Sequence, residues 1–138
     1  MVELSKRFVG SAFRFIPGPV TFTEPLYSWD VQDIAEHSPD SITTAILSWP
    51  GTTLLHPAGR LWSDWQAAWE EGDRIILLDD VELLNDAGHF GGLRLSCDCL
   101  VGDVLALWAA VRADCPGIWL YGHDCRLYTP QSFLEGLR

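Results

Sequence analysis

Lysine and arginine are scarce in this chain, nine in all against nineteen aspartates and glutamates, which leaves a formal charge of −10. Such a surface repels nucleic-acid phosphates and anionic lipid headgroups, so direct nucleic-acid binding is disfavoured. Long hydrophobic runs are also missing. Nothing approaches the ~18 to 20 apolar residues of a membrane span, and the opening MVELSKRFVGSAFRFIPG lacks the unbroken apolar stretch of a secretory signal. A cytoplasmic protein that does not enter a membrane is expected. There is no internal repeat, low-complexity tract or linker, so one globular domain over residues 1–138 is expected. Cysteine is limited to Cys97, Cys99, Cys115 and Cys125. A domain of this size needs no disulfide framework, and in a reducing compartment these residues are expected as thiols or ligands.

What is present is ample material for a core. Of the 138 residues, 48% are hydrophobic and seven are Trp, while 20% are charged, a balance that argues for a folded chain. The patterning predicts an α+β fold: a mixed β-sheet with an N-terminal β-meander and a C-terminal β-α-β unit, with three to four helices packed on the sheet. In the first half, Phe13 and Phe15 alternate about Arg14, Pro17-Gly18-Pro19 turns the chain, and Val20 to Thr23 resumes an extended pattern. A short helix is expected from about Asp30 to His37, capped by Ser28 or Asp30, then a β-branched strand from Ile42 to Trp49. Leu61, Trp62, Trp65, Ala68 and Trp69 recur at helical spacing before Gly72, with Ser63 and Gln66 as a capping box. That predicts an amphipathic helix whose tryptophan stripe packs in the core.

The second half is more regular. An apolar strand (Ile75 to Leu78) precedes an acidic segment (Asp79 to Asp86) with some helical spacing. From Gly92 to Cys99, Leu93, Leu95, Cys97 and Cys99 face one way while Arg94, Ser96 and Asp98 face the other, predicting a half-buried strand. A helix is predicted over Gly102 to Asp114, a strand over Ile118 to Tyr121, and a last helix capped by Thr129 with Pro130 at its first position. Strand, helix and strand from Leu93 to Tyr121 form a right-handed crossover unit in this reading, with the two strands parallel.

That topology brings Cys97, Cys99, His123 and Cys125 to one carboxyl edge, where open α/β sheets place ligands. Three sulfurs and an imidazole make a tetrahedral zinc set. The same groups admit thiol chemistry, with Cys99 or Cys125 as nucleophile, His123 as base and Asp124 or Asp98 as its orienter. No local signature of a nucleophile elbow, thiol protease or phosphate loop accompanies them, and the bland reading is small core residues with a histidine at a strand end. His37, His56 and His89 read as structural or solvent-exposed.

The leading expectation is therefore a small acidic, non-enzymatic binding protein with no cofactor. The role expected of it is that of a bacterial immunity protein or other inhibitor, neutralising a basic, toxin-like protein partner. Its acidic groups Asp79, Asp80, Glu82, Asp86, Glu70 and Glu71 would meet the cationic surface, speeding association and selecting the partner. A zinc or thiol site at Cys97, Cys99, His123 and Cys125 is the alternative, and an accessory domain of a larger assembly is a third.

Overall fold

The computed structural model describes residues 4–19, 34–84, 86–122 and 124–137. Seven strands form one open sheet: β1 (Arg7–Pro17), β2 (Thr52–His56), β3 (Gln66–Glu71), β4 (Arg74–Leu83), β5 (Phe90–Leu100), β6 (Ile118–Tyr121) and β7 (Leu127–Tyr128). Three helices accompany them: α1 (Pro39–Leu47), α2 (Val101–Asp114) and α3 (Pro130–Gly136). The strand order is β2-β3-β4-β5-β1-β6-β7, and every neighbouring pair is antiparallel. The expectation of a mixed sheet in an α+β fold with three to four packed helices is thereby overturned. The architecture is mostly antiparallel sheet, with three helices of 9, 14 and 7 residues among the described residues.

The difference lies in the place of the first strand. β5 and β6 do run in the same direction and α2 does cross between them, but β1 lies between the two and pairs with both. Phe15 stands opposite Leu93 on one side and Leu120 on the other, and all three are fully buried. The N-terminal segment thus supplies a central strand of the sheet. The expected continuation at Val20 to Thr23 falls outside the described residues, as do Ser28 and Asp30 to Asp33 of the expected second element. Within Ile34 to His37 there is no helix; Ile34 instead bridges Pro19.

Two further elements differ from the local signals. Ile42 to Trp49, expected as a strand, lies largely in α1. Ser38 caps that helix by accepting the Ser41 N–H at 3.1 Å, Pro39 occupies the first turn, and Ile42, Ala45 and Ile46 are buried at helical spacing. The β-branched Thr43 is accommodated because its hydroxyl donates to the Pro39 carbonyl at 2.9 Å. Conversely, the expected Trp helix is a 3-10 turn at Trp62–Asp64 followed by β3. Gln66–Glu71 is rich in helix formers, yet it pairs with β2 and β4 and turns through Gly72-Asp73, where Gly72 takes a φ of 63°. Two rows of ladder bonds outweigh a weak intrinsic preference. The core placement of the stripe does hold for Trp65, Ala68 and Trp69, whereas Leu61 is exposed. The acidic segment from Asp79 is not helical either; β4 runs on through it to Leu83.

The remaining elements follow their local causes. β5 contains the alternating strand, with Leu93, Leu95, Cys97 and Cys99 buried. In α2, Asp103 accepts the Leu100 N–H at 2.9 Å and receives Arg74 Nη1 at 3.3 Å, tying the helix start to β4. Thr129 caps α3 by accepting the Ser132 N–H at 3.2 Å. Phe133 of α3 stacks edge-on against Phe8 and Phe13 of β1, at centroid separations of 5.5 and 5.6 Å. Among the described residues, the helices cover one sheet face and leave the other largely open.

Because Phe15 is buried between two strands that join the halves of the sheet, Phe15→Ala is expected to lower stability by about 3–5 kcal/mol. Equilibrium denaturation by urea, with the slope of the transition unchanged, checks this.

Candidate functional site

The open face is built by alternation. Val9 pairs with Asp98, Leu77 with Ser96, Glu70 with Ile75 and Asp79 with Arg94, and partners in a ladder share a face. Val9 is 71% exposed and Leu77 38%. With Ser11, Ile75, Ser96 and Asp98 they line a shallow groove of about 280 Å³. Hydrophobic side chains exposed together on a sheet face mark a place where something else can pack.

Around this groove, arginines and carboxylates form a rim. Arg7 donates from Nε to Asp98 Oδ1 at 2.9 Å and also contacts Asp73 Oδ2 at 3.4 Å. Arg94 holds Asp79 through two bonds of 3.0 Å each, a fork that matches the carboxylate geometry. Arg14 donates to Asp80 Oδ2 at 3.1 Å and reaches Glu82 Oε1 at 3.2 Å. Arg14 and Arg94 stand directly opposite each other across β1 and β5. Two like charges are tolerated there because each has its own carboxylate partner. Hydrogen bonding to Asp79 holds the Arg94 guanidinium above its ordinary value, as bonding to Asp98 does for Arg7. A bulge in β4, where Asp80 takes a left-handed φ of 55°, turns Asp80 toward Arg14.

The structure thus brings together Asp79, Asp80 and Glu82 of the expected acidic set on one face, with Glu70 farther along it beside Ile75. Three of these four are already in ion pairs. Glu71 instead meets Arg74 at 3.1 Å across the β3–β4 turn, and Asp86 is exposed in the β4–β5 turn. On the open face, the carboxylates of Glu70, Asp73, Asp79, Asp80, Glu82 and Asp98 outnumber Arg7, Arg14 and Arg94. The face stays net negative after internal pairing. Val9 and Leu77 were not among the residues expected from sequence, because Ile75 to Leu78 reads as a strand buried on both sides. Alternation about Gly10 and Ser11 was the available clue.

The cysteines separate. Cys97 and Cys99 lie on the helix-covered face, both buried, with Cys97 hydrogen-bonded to Cys99. That bond and burial push the Cys97 thiol well above its ordinary value, so it is held protonated. Burial raises Cys115 as well. Cys125 is exposed in the connection between β6 and β7, apart from the buried Cys97 and Cys99 of β5. His123 lies outside the described residues. Among the described residues, no group of three or more His, Cys, Asp or Glu side chains is placed to hold a metal ion. Asp124, the expected orienter, accepts from the Tyr128 hydroxyl at 2.6 Å, and Asp98 is engaged by Arg7.

The other histidines sit in connections. His37 Nε2 lies 2.7 Å from the Pro116 carbonyl, His56 Nδ1 2.7 Å from that of Pro57, and His89 Nε2 3.9 Å from Glu36. Among the described residues no helix is long and apolar enough to cross a membrane.

Two measurements check the thiol assignments. In folded protein a disulfide reagent is expected to modify Cys125 rapidly, and Cys97, Cys99 and Cys115 only after unfolding. Because the folded Cys97 thiol titrates above the ordinary 9.0, the folded chain keeps a proton that the unfolded chain releases. Its stabilising contribution is complete below that value and declines as pH rises through it. Cys97→Ala is expected to lessen the loss of stability as pH rises above ~9, read from denaturation midpoints.

No protein-family model, curated protein or solved structure matches this chain, so its function has to be argued from its own residues.

Proposed function

We propose that this chain is a non-enzymatic binding protein that neutralises a basic, toxin-like protein by covering it with the open face of the sheet. The observation that carries the reading is the pairing of an exposed apolar groove, centred on Val9 and Leu77, with a rim whose carboxylates exceed its arginines. An apolar centre supplies the area that anchors a partner, and a polar rim supplies orientation and selectivity. The acidic surplus attracts a cationic surface during diffusion and speeds encounter. Arg7, Arg14 and Arg94 have a positioning role. They hold Asp98, Asp80, Glu82 and Asp79 in place before binding, which lowers the entropy lost on association.

The roles expected of Asp79, Asp80, Glu82 and Glu70 are kept in this form, with Glu70 at the far end of the groove beside Ile75. Glu71 and Asp86 are peripheral to it. Acting from the cytoplasm of a bacterial cell, the protein would meet its partner where that partner is made or delivered.

Sequencing the genes that flank this one, and titrating any basic protein they encode against this chain by calorimetry, tests the reading. Wild-type protein is expected to bind, more weakly as salt rises. Val9→Arg and Leu77→Arg are each expected to reduce affinity at least tenfold while circular dichroism stays unchanged. Unaltered affinity in the double variant would remove the open face from the reading. Absence of any interaction with that protein would remove the neutralising role.

A further inference from the structure

The open face is not the only unguarded part of the sheet. A sheet of seven strands has two edges, here β2 and β7. β7 is two residues long and runs directly into α3. β2 is five residues long, and Thr53, Leu54, Leu55 and His56 are all exposed, Leu54 at 42% and Leu55 at 54%. Its outer side has no strand beside it among the described residues.

Natural sheets blunt such edges with lysine, inward charge or proline within the strand, because unpaired N–H and C=O groups template another strand. β2 carries no charge and no proline; its irregularity is a bulge at Leu55, where the pairing passes from Leu54–Ala67 to His56–Gln66, after the outward-facing Leu54. Ser41 to Gly59 contains no Asp, Glu, Lys or Arg, although the chain as a whole carries −10. Pro50 and Pro57 stand just outside the strand and limit any added pairing to its five residues.

The ladder shows which backbone groups are on offer. The Glu70 N–H donates to the Gly51 carbonyl at 3.2 Å, across the Thr52–Trp69 pair. That pair is therefore the non-hydrogen-bonded kind, and in an antiparallel ladder the two kinds alternate. Thr53 directs its groups to Ala68, and Leu54 directs both its N–H and its C=O away from β3, into solvent.

We infer that β2 pairs antiparallel with β2 of a second copy of this chain, about a two-fold axis at Leu54, joining two seven-stranded sheets into one. In this arrangement each Leu54 N–H donates to the Leu54 carbonyl of the other copy, and Thr53 faces Leu55 across the axis. The occupant follows from charge. Two molecules of −10 repel over most of their surfaces, and the uncharged run from Ser41 to Gly59 is where they approach at least electrostatic cost. A strand that exposes one outward residue able both to donate and to accept is complementary to itself, as an isologous interface requires. With only five residues per edge, the contact is small and the dimer concentration-dependent.

Sedimentation equilibrium from micromolar to millimolar protein tests this, in salt high enough to screen the net charge. The expected mass rises from 15.4 kDa toward twice that value. Leu54→Lys and Leu54→Glu are each expected to remain monomeric with unchanged circular dichroism, because each sets like charges opposite one another. Mixing the two variants is expected to restore the dimer by opposing Lys and Glu. In wild-type protein, exchange of the Leu54 amide hydrogen is expected to slow as concentration rises, a readout that needs no variant. Monomer at every concentration overturns the proposal. So does a dimer that survives either single substitution, or a Leu54 amide whose exchange ignores concentration. Because β2 lies apart from the Val9–Leu77 groove, dimer formation stands or falls independently of the neutralising role.

Discussion

The structure depends on one long-range pairing, the insertion of β1 between β5 and β6. Without it the chain is two separate pieces, a meander of β2 to β5 and a short hairpin of β6 and β7. With it, Phe15 bridges Leu93 and Leu120, and a single apolar layer runs beneath α1, α2 and α3. The order β5-β1-β6 also determines how α2 crosses, since the helix must pass over β1 to reach β6. Trp108 secures that crossing: it is buried, and its indole N–H donates to the Ile118 carbonyl at 3.1 Å.

The same pairing creates the open face. Arg14 belongs to β1, and its carboxylates belong to β4, two strands away; only the intervening β5 brings them within reach. Arg7 spans the same strands at the other end, meeting Asp98 on β5 and Asp73 in the β3–β4 turn. As pairs at the solvent-facing side of the sheet, these contacts contribute little to stability. Their effect is on shape and charge distribution. Five carboxylates held at known positions around an apolar groove form a recognition surface, whereas the same residues on mobile side chains form only a diffuse negative field. β2 stands in contrast as a surface with no charge, at the far edge of the sheet.

Several elements were legible residue by residue. The alternation of Leu93, Leu95, Cys97 and Cys99 identified β5 and its buried side. Thr129-Pro130 announced α3, and the apolar positions of Gly102 to Asp114 announced α2. α1 was legible but misread: Ser38-Pro39-Asp40 is a helix start, and Ile42, Ala45 and Ile46 keep helical spacing, but the β-branched residues drew the reading toward a strand. β3 was not legible in its own residues, since Gln66 to Glu71 prefers helix and becomes a strand only between two neighbours. For the candidate site, the acidic residues were visible, while the arginines that hold them and the groove they surround were not. The cysteine cluster had a sound local geometry for Cys97 and Cys99, but these are buried in β5 while Cys125 is exposed in the connection after β6.

By itself the sequence determined the properties that arise from composition and from residues a few positions apart. These are the net charge, a core rich in tryptophan, the caps of the later helices, the buried side of β5 and the uncharged run that contains β2. Each is local because hydrophobic alternation, capping and like-charge repulsion act without knowledge of the distant chain. Only the tertiary structure decided that β1 lies between β5 and β6, that Gln66 to Glu71 is extended, and that Asp79 and Asp80 face Arg94 and Arg14. Those outcomes rest on pairings between segments far apart in the chain, whose backbone donors and acceptors are chemically alike everywhere. Their register is selected by how whole faces bury together, and no short stretch of sequence carries that energy.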